Sequence, residues 1–174
     1  NVDLNIDDFE MLKKFIISKK IELIVVGPEK PLVEGIVDFF ENNNIPTFGP
    51  NKLASQLEGS KIFTKKICDK YKIPTAKFGI FENINKAKLF LNNTKFPMVV
   101  KADGLAAGKG VYICEDKKNA ENAIQEIFNG KFGEAKKVLL EEFLIGEEMS
   151  YFVVSDGKNI KKFETAQDHK RVGE

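Results

Sequence analysis

The residues best placed to do chemistry in this sequence lie between Phe96 and Cys114. A short apolar run, Met98 to Val100, ends on Lys101 and opens into a stretch of small side chains carrying Gly104, Gly108, Lys109 and Gly110; a second apolar run begins at Val111. Two strands joined by a glycine-rich loop is the natural reading. The glycines permit backbone angles and close approaches that a Cβ forbids. A loop of this kind can turn successive N–H groups toward an anion, phosphate being the usual one, and Lys101 and Lys109 add positive charge to the concavity. The two familiar phosphate loops do not fit. The P-loop requires G-x-x-x-x-G-K-[ST] before a helix, whereas three residues separate Gly104 from Gly108, Gly110 stands where Ser or Thr should be, and a strand follows. The G-x-G-x-x-G fingerprint fails because Gly108-Lys109-Gly110 runs into Val111-Tyr112-Ile113. Taken alone, the loop could equally be a flexible hairpin with two solvated lysines.

Three further groups could act with it. Glu141, Glu142, Glu147 and Glu148 place four carboxylates within eight residues, inviting a metal or acid–base reading against the alternative of solvated strand edges. The cluster Asp168-His169-Lys170-Arg171 has the mixed charge of a loop that binds an anionic or carboxylated molecule; His169, the sole histidine, is kept as a ligand contact. The loop Gly27-Pro28-Glu29-Lys30-Pro31 follows an apolar run, and Glu29 could grip an amine there or be an ordinary turn carboxylate.

The elements that must position these groups can be read from periodicity. Asp7 or Asp8 caps a helix carrying Phe9, Leu12, Phe15 and Ile16 on one face. Glu22 to Val26 reads as a strand buried on both faces of a parallel sheet. A helix follows with Leu32, Val33, Ile36, Val37 and Phe40 inward, then a short strand from Ile45 to Phe48, an alternation that indicates a doubly wound α/β domain. The Gly27–Pro31 loop would lie at a strand's carboxyl end, where such sheets bind ligands. Gly49-Pro50 marks a boundary. Ser60 caps a helix from Lys61 to Tyr71, with Lys61 in the first turn, where the helix dipole disfavours a cation unless an anion lies near. Strands are expected over 75–81, from Met98, from Val111 and over 138–144, with helices over 84–91 and 119–128. A final hairpin runs over 147–154 and 159–164, turning at Asp156-Gly157.

Composition narrows the function classes. The chain has 174 residues, 43% hydrophobic and 30% charged, with 27 basic and 26 acidic residues for a net charge of +1. That balance gives no electrostatic case for nucleic acid or an anionic membrane. No apolar run approaches the ~20 residues that span a bilayer. Cys68 and Cys114 each sit in an apolar stretch without metal spacing, as buried free thiols in a reducing cytosol would. The chain begins at Asn1 and stops at Glu174 without a terminating element, so both ends are read as cut.

The segments Gly27–Leu32, Gln56–Lys61, Val99–Gly110, Glu141–Glu148 and Gln167–Gly173, in this order, closely resemble the phosphoribosylamine–glycine ligase (glycinamide ribonucleotide synthetase) family of the ATP-grasp superfamily. The resemblance implies a partial doubly wound N-terminal domain over residues 1–58, of pre-ATP-grasp type, and an incomplete ATP-grasp domain over 59–174 with a lid subdomain at about 75–142. It implies a cytoplasmic ligase, expected as a monomer, that joins glycine to 5-phosphoribosylamine through a glycyl phosphate, giving glycinamide ribonucleotide, ADP and phosphate in purine biosynthesis. Lys61 and Lys101 match the lysines on the ATP phosphates, and Gly104 to Gly110, with Gly108 and Lys109, the closing lid. Glu141 and Leu144 match the adenine hinge, Glu142 lies beside it, and Glu148 matches the ribose contact. Gly27, Pro28, Glu29, Pro31 and Asp168, His169, Lys170, Arg171 match segments lining the glycine and phosphoribosylamine pocket. Lys101 and the Asp168–Arg171 cluster are the candidate catalytic residues. Mg²⁺ or Mn²⁺ is implied, with ligands expected beyond residue 174 and none in this chain, which is expected to be inactive alone. Another ATP-grasp carboxylate–amine ligase and a non-catalytic nucleotide-binding module remain the alternatives.

Overall fold

The computed structural model describes residues 2–105, 109–133 and 137–169. The chain divides into two compact units, residues 1–143 and 144–174.

The first unit opens on helix α1 (Phe9–Ser18), whose N-cap Asp8 accepts the Met11 N–H at 2.9 Å. Strand β1 (Ile24–Val25) pairs in parallel with β2 (Thr47–Phe48). Between them run two short helices, α2 (Glu29–Glu34) and α3 (Ile36–Glu41). Sequence periodicity predicts one helix here, but Gly35 sits at φ +99° and closes α2 by donating to Pro31 and Leu32 before α3 begins. The break still leaves Ile36, Val37 and Phe40 facing Ile16 of α1, with Phe9 and Phe39 packed around them. The expected five-residue strand buried on both faces is a correction: only Ile24 and Val25 are extended, and Val25 is 67% exposed. β1 has one partner strand among the described residues, and Ile24 and Val26 pack on the core cluster while Val25 faces outward.

Helices α4 (Gln56–Gly59) and α5 (Lys61–Tyr71) lead into a four-stranded antiparallel sheet in the order β3-β6-β4-β5. Its strands are β3 (Phe78–Phe81), β4 (Met98–Ala102), β5 (Val111–Cys114) and β6 (Val138–Glu142). Helix α6 (Ile84–Phe90) is capped by Asn83 and followed by a 3₁₀ turn over Leu91–Asn93. Helix α7 (Lys117–Phe128) is capped by Asp116. Strand period two divides the sheet into two faces. On one, Met98, Val100, Ala102, Val138 and Leu140 pack against Ala87 of α6 and Ala120, Ala123, Ile124 and Ile127 of α7. Burying each of the larger side chains is worth about 1.5–3 kcal/mol, which makes this the principal core. The other face carries Val99, Lys101, Leu139 and Glu141, and α5 brings Lys65 to it.

The second unit is a hairpin of β7 (Met149–Ser155) and β8 (Ile160–Gln167), with a register shift between Tyr151 and Val153. The Asp156-Gly157 turn is as expected, Gly157 adopting φ +87°. Glu147 and Glu148, expected inside the first strand, precede it, so the period-two assignment of these two carboxylates to opposite faces does not hold.

Candidate active site

Lys101 is the fourth residue of β4 and Glu141 the fourth of β6. In their antiparallel register Val99 faces Glu141 and Lys101 faces Leu139, so the lysine and the glutamate are diagonal neighbours on one face. Long side chains bridge that diagonal readily, and the Lys101 ammonium donates to Glu141 Oε2 at 3.0 Å. The same oxygen lies 3.2 Å from the ammonium of Lys65. Lys65 also donates to Thr75 Oγ1 at 2.6 Å and to the Ala76 carbonyl at 3.3 Å, and stands 5.5 Å from the centre of the Phe78 ring. Thr75 and Ala76, expected in the strand, precede it and carry these contacts instead, β3 starting at Phe78. The Glu141 side chain is 6% exposed, Lys65 10% and Lys101 26%. A carboxylate this buried is tolerable only with such partners.

Lys61 stands one helical turn before Lys65 and so shares its face of α5. Its ammonium donates to the Gly104 carbonyl at 2.9 Å. Asp103 completes the joint: its carboxylate accepts from the Ser60 hydroxyl at 2.9 and 3.1 Å and from the Ile62 N–H at 3.2 Å, while Ser60 Oγ accepts from Phe63 N–H. The anion beside the α5 N-terminus is therefore Asp103, which offsets the unfavourable placement of Lys61 in the first turn. At the other end of the glycine loop, Ala102 N–H donates to the Gly110 carbonyl at 2.8 Å. Gly104 takes φ +98° with nothing within 4 Å of a Cβ, so conformation rather than crowding calls for glycine.

Lys61, Lys65, Lys101 and Glu141 line a recess of about 260 Å³, with Leu57 and Val111 as apolar wall and Glu58 at its side. Three ammonium groups against two carboxylates leave a positive surplus. The donor set suits a polyphosphate.

The remaining predicted site residues are distributed as follows. Lys109 is exposed and Gly110 buried. Glu142 accepts the Lys77 N–H at 2.9 Å while its own N–H donates to the Lys77 carbonyl, a clasp between β6 and the approach to β3. Gly27 and Pro28 join β1 to α2, Glu29 is the exposed first residue of α2, and Pro31 is buried. In the second unit Leu144 is 63% exposed, Glu148 is exposed and its carbonyl accepts the Asp168 N–H at 3.0 Å, and His169 is exposed. Gly108, Lys170 and Arg171 lie outside the described residues. Sequence reasoning missed Lys65 and Asp103. Lys65 was detectable in one way only: it lies three residues after the inward-facing Ile62 and four after Lys61, a lysine on a buried stripe that must find a partner.

An antiparallel sheet with a lysine at the mouth of a glycine loop, and a second lysine on the helix that holds the loop's base, lies within a region that matches an ATP-grasp domain. Comparison with known proteins narrows this further. The chain belongs to the phosphoribosylglycinamide synthetase family, whose ATP-grasp (A) domain matches residues 59–174 and whose N domain matches residues 1–58. It is 50% identical over 174 residues to a phosphoribosylamine–glycine ligase of Mesorhizobium japonicum, covering 99% of this chain and 41% of that protein. The corresponding Haemophilus influenzae protein is 49% identical over 176 residues, covering 100% of this chain and 41% of its own. The crystal structure of the Thermotoga maritima phosphoribosylamine–glycine ligase superposes with a TM-score of 0.75 at 30% identity, covering 91% of this chain and 39% of that one. The chain thus spans about two fifths of the length of the curated relatives it matches. No helix among the described residues is long and apolar enough to cross a membrane.

Proposed function

We propose that the protein carrying this chain is an ATP-dependent carbon–nitrogen ligase that joins glycine to 5-phosphoribosylamine. The γ-phosphoryl group of ATP passes to a glycine carboxylate oxygen, giving glycyl phosphate and ADP. The amine then attacks the carbonyl carbon, phosphate leaves, and glycinamide ribonucleotide is formed. The observation that carries this reading is the recess where Lys61, Lys65 and Lys101 converge at the base of the glycine loop, in a chain of this family. Phosphoryl transfer needs positioning and charge neutralisation rather than a protein nucleophile, which is what this donor set supplies. In this reading Lys61 and Lys101 take the phosphates, and the Glu141–Leu144 segment takes the base. Glu148 takes the ribose, and the Gly27–Pro31 loop with the Asp168–Arg171 segment serves glycine and phosphoribosylamine. Residues 1–58 form an N-terminal domain and 59–174 part of the ATP-grasp domain. Among the described residues no group of three or more His, Cys, Asp or Glu could hold a metal ion. The Mg²⁺ or Mn²⁺ that accompanies ATP would draw its ligands from elsewhere in the protein.

The test is ADP release by the full-length polypeptide with Mg²⁺, each component omitted in turn. Release requiring both glycine and phosphoribosylamine is expected, and Lys101→Ala is expected to lower kcat/KM at least about 100-fold by removing a cation from the transferring phosphoryl group. Turnover with another carboxylate in place of glycine would make it a sister ligase, and tight ATP binding without turnover a nucleotide-binding module.

A further inference from the structure

We propose that Lys65 is a positioning residue that keeps Lys101 available to an anionic ligand by sharing the charge of Glu141. The proposal rests on reading the recess as a polyphosphate site and concerns a lysine that lines the recess but is engaged mainly by the protein. The Lys65 ammonium is engaged by the protein: it donates to Thr75 Oγ1 at 2.6 Å and to the Ala76 carbonyl at 3.3 Å, and it is ion-paired with Glu141 Oε2 at 3.2 Å. Lys101 is the opposite case. Among the described residues it donates only to the shared Glu141 oxygen, and at 26% exposure it retains protons that a ligand can reach.

The stoichiometry is what gives Lys65 a role. Two ammoniums and one carboxylate leave the cluster with a charge of +1, carried outward by the more exposed lysine. Without Lys65 the cluster becomes a neutral Lys101–Glu141 pair. A carboxylate only 6% exposed would then hold Lys101 as its sole counter-ion, because burial leaves it no water to replace the missing partner. An incoming polyphosphate would have to break that pair before gaining Lys101.

The experiment uses the full-length polypeptide in four forms: wild type, Lys65→Met, Glu141→Gln and the double variant. Inorganic triphosphate binding is measured by calorimetry, and KM and kcat for ATP by ADP release. Lys65→Met is expected to weaken triphosphate binding and raise the KM for ATP roughly tenfold with much less effect on kcat. In the Glu141→Gln background the same substitution is expected to cost only a few-fold, since no carboxylate remains to recapture Lys101. Equal losses in both backgrounds would show Lys65 acting merely as a nearby charge and overturn the proposal, as would no loss or no triphosphate binding by wild type. Lys65→Gln, which keeps donors but not charge, serves in place of the methionine variant should that one not fold. Triphosphate binding that depends on Lys65 without glycine-dependent turnover would sink the ligase reading and leave this proposal standing. Full turnover unaffected by Lys65→Met would do the reverse.

Discussion

Single residues in this protein take their properties from how many partners they share. Glu141 divides one oxygen between two ammoniums, and Asp156 shows the reverse arrangement, one carboxylate collecting several neutral donors. Its Oδ1 accepts the N–H groups of Asn159 at 2.6 Å and Lys158 at 2.9 Å, and its Oδ2 the Asn159 side-chain amide at 3.0 Å. These bonds, the Asn159 N–H foremost, hold its pKa down at about 2. Because the folded pKa lies below the unfolded one, near 3.9, the turn keeps this stabilisation in full above the unfolded value and loses it as pH falls through about 2. An NMR titration of the Asp156 carboxyl carbon should show a midpoint close to 2; one near 4 would mean that the turn bonds are absent in solution. The chemistry at this scale was only half legible beforehand. Lys61, Lys101 and Glu141 stand out in the sequence because glycines or acidic pairs flank them. Lys65 and Asp103 do not, because their significance comes from contacts with residues 76 and 43 positions away in the cases of Glu141 and Ser60.

At the scale of elements, two caps and the apolar spacing were readable: Asp8 and Ser60 each close a helix N-terminus through a side-chain oxygen, as Asn83 and Asp116, found only in the structure, also do. Those signals are local, and local signals survive in a single sequence. Element lengths were not so readable, since they depend on neighbours. The run from Leu32 to Phe40 keeps its apolar spacing across Gly35, so periodicity passes over a break that only a backbone angle reveals. Gly35→Ala would force a Cβ into φ +99° and to 3.2 Å from Lys52 Cδ. A loss of about 1–2 kcal/mol in urea denaturation is expected, with Gly35→Asn losing less because asparagine tolerates left-handed backbone better. An alanine variant as stable as wild type would mean that α2 and α3 can run on as one helix.

Over the whole molecule, stability is unevenly spread. Strand β6 is paired on both edges, and Val138, Leu139 and Leu140 are fully buried. Among the described residues the β7–β8 hairpin forms a sheet of two strands, and large apolar side chains such as Tyr151, Phe152 and Phe163 are more than half exposed. A two-stranded hairpin of that kind is marginal in water. In the 174-residue chain, amide hydrogens of β7 and β8 are therefore expected to exchange at least about 100-fold faster than those of β6. Comparable protection in both would require the hairpin to be held by something beyond its own ladder.

The diagonal of Lys101 and Glu141 also bears on how the chain reaches this state. Shifting β4 against β6 by a single residue would send Lys101 through the sheet into the layer of Ala120, Ile124 and Ile127, where a bare ammonium has no partner. The charged pair that readies the recess for an anion thus also penalises the nearest mispaired sheet during folding. An apolar replacement of the whole cluster, Lys65 included, could raise stability while removing the cost that separates the correct pairing from its off-by-one neighbour.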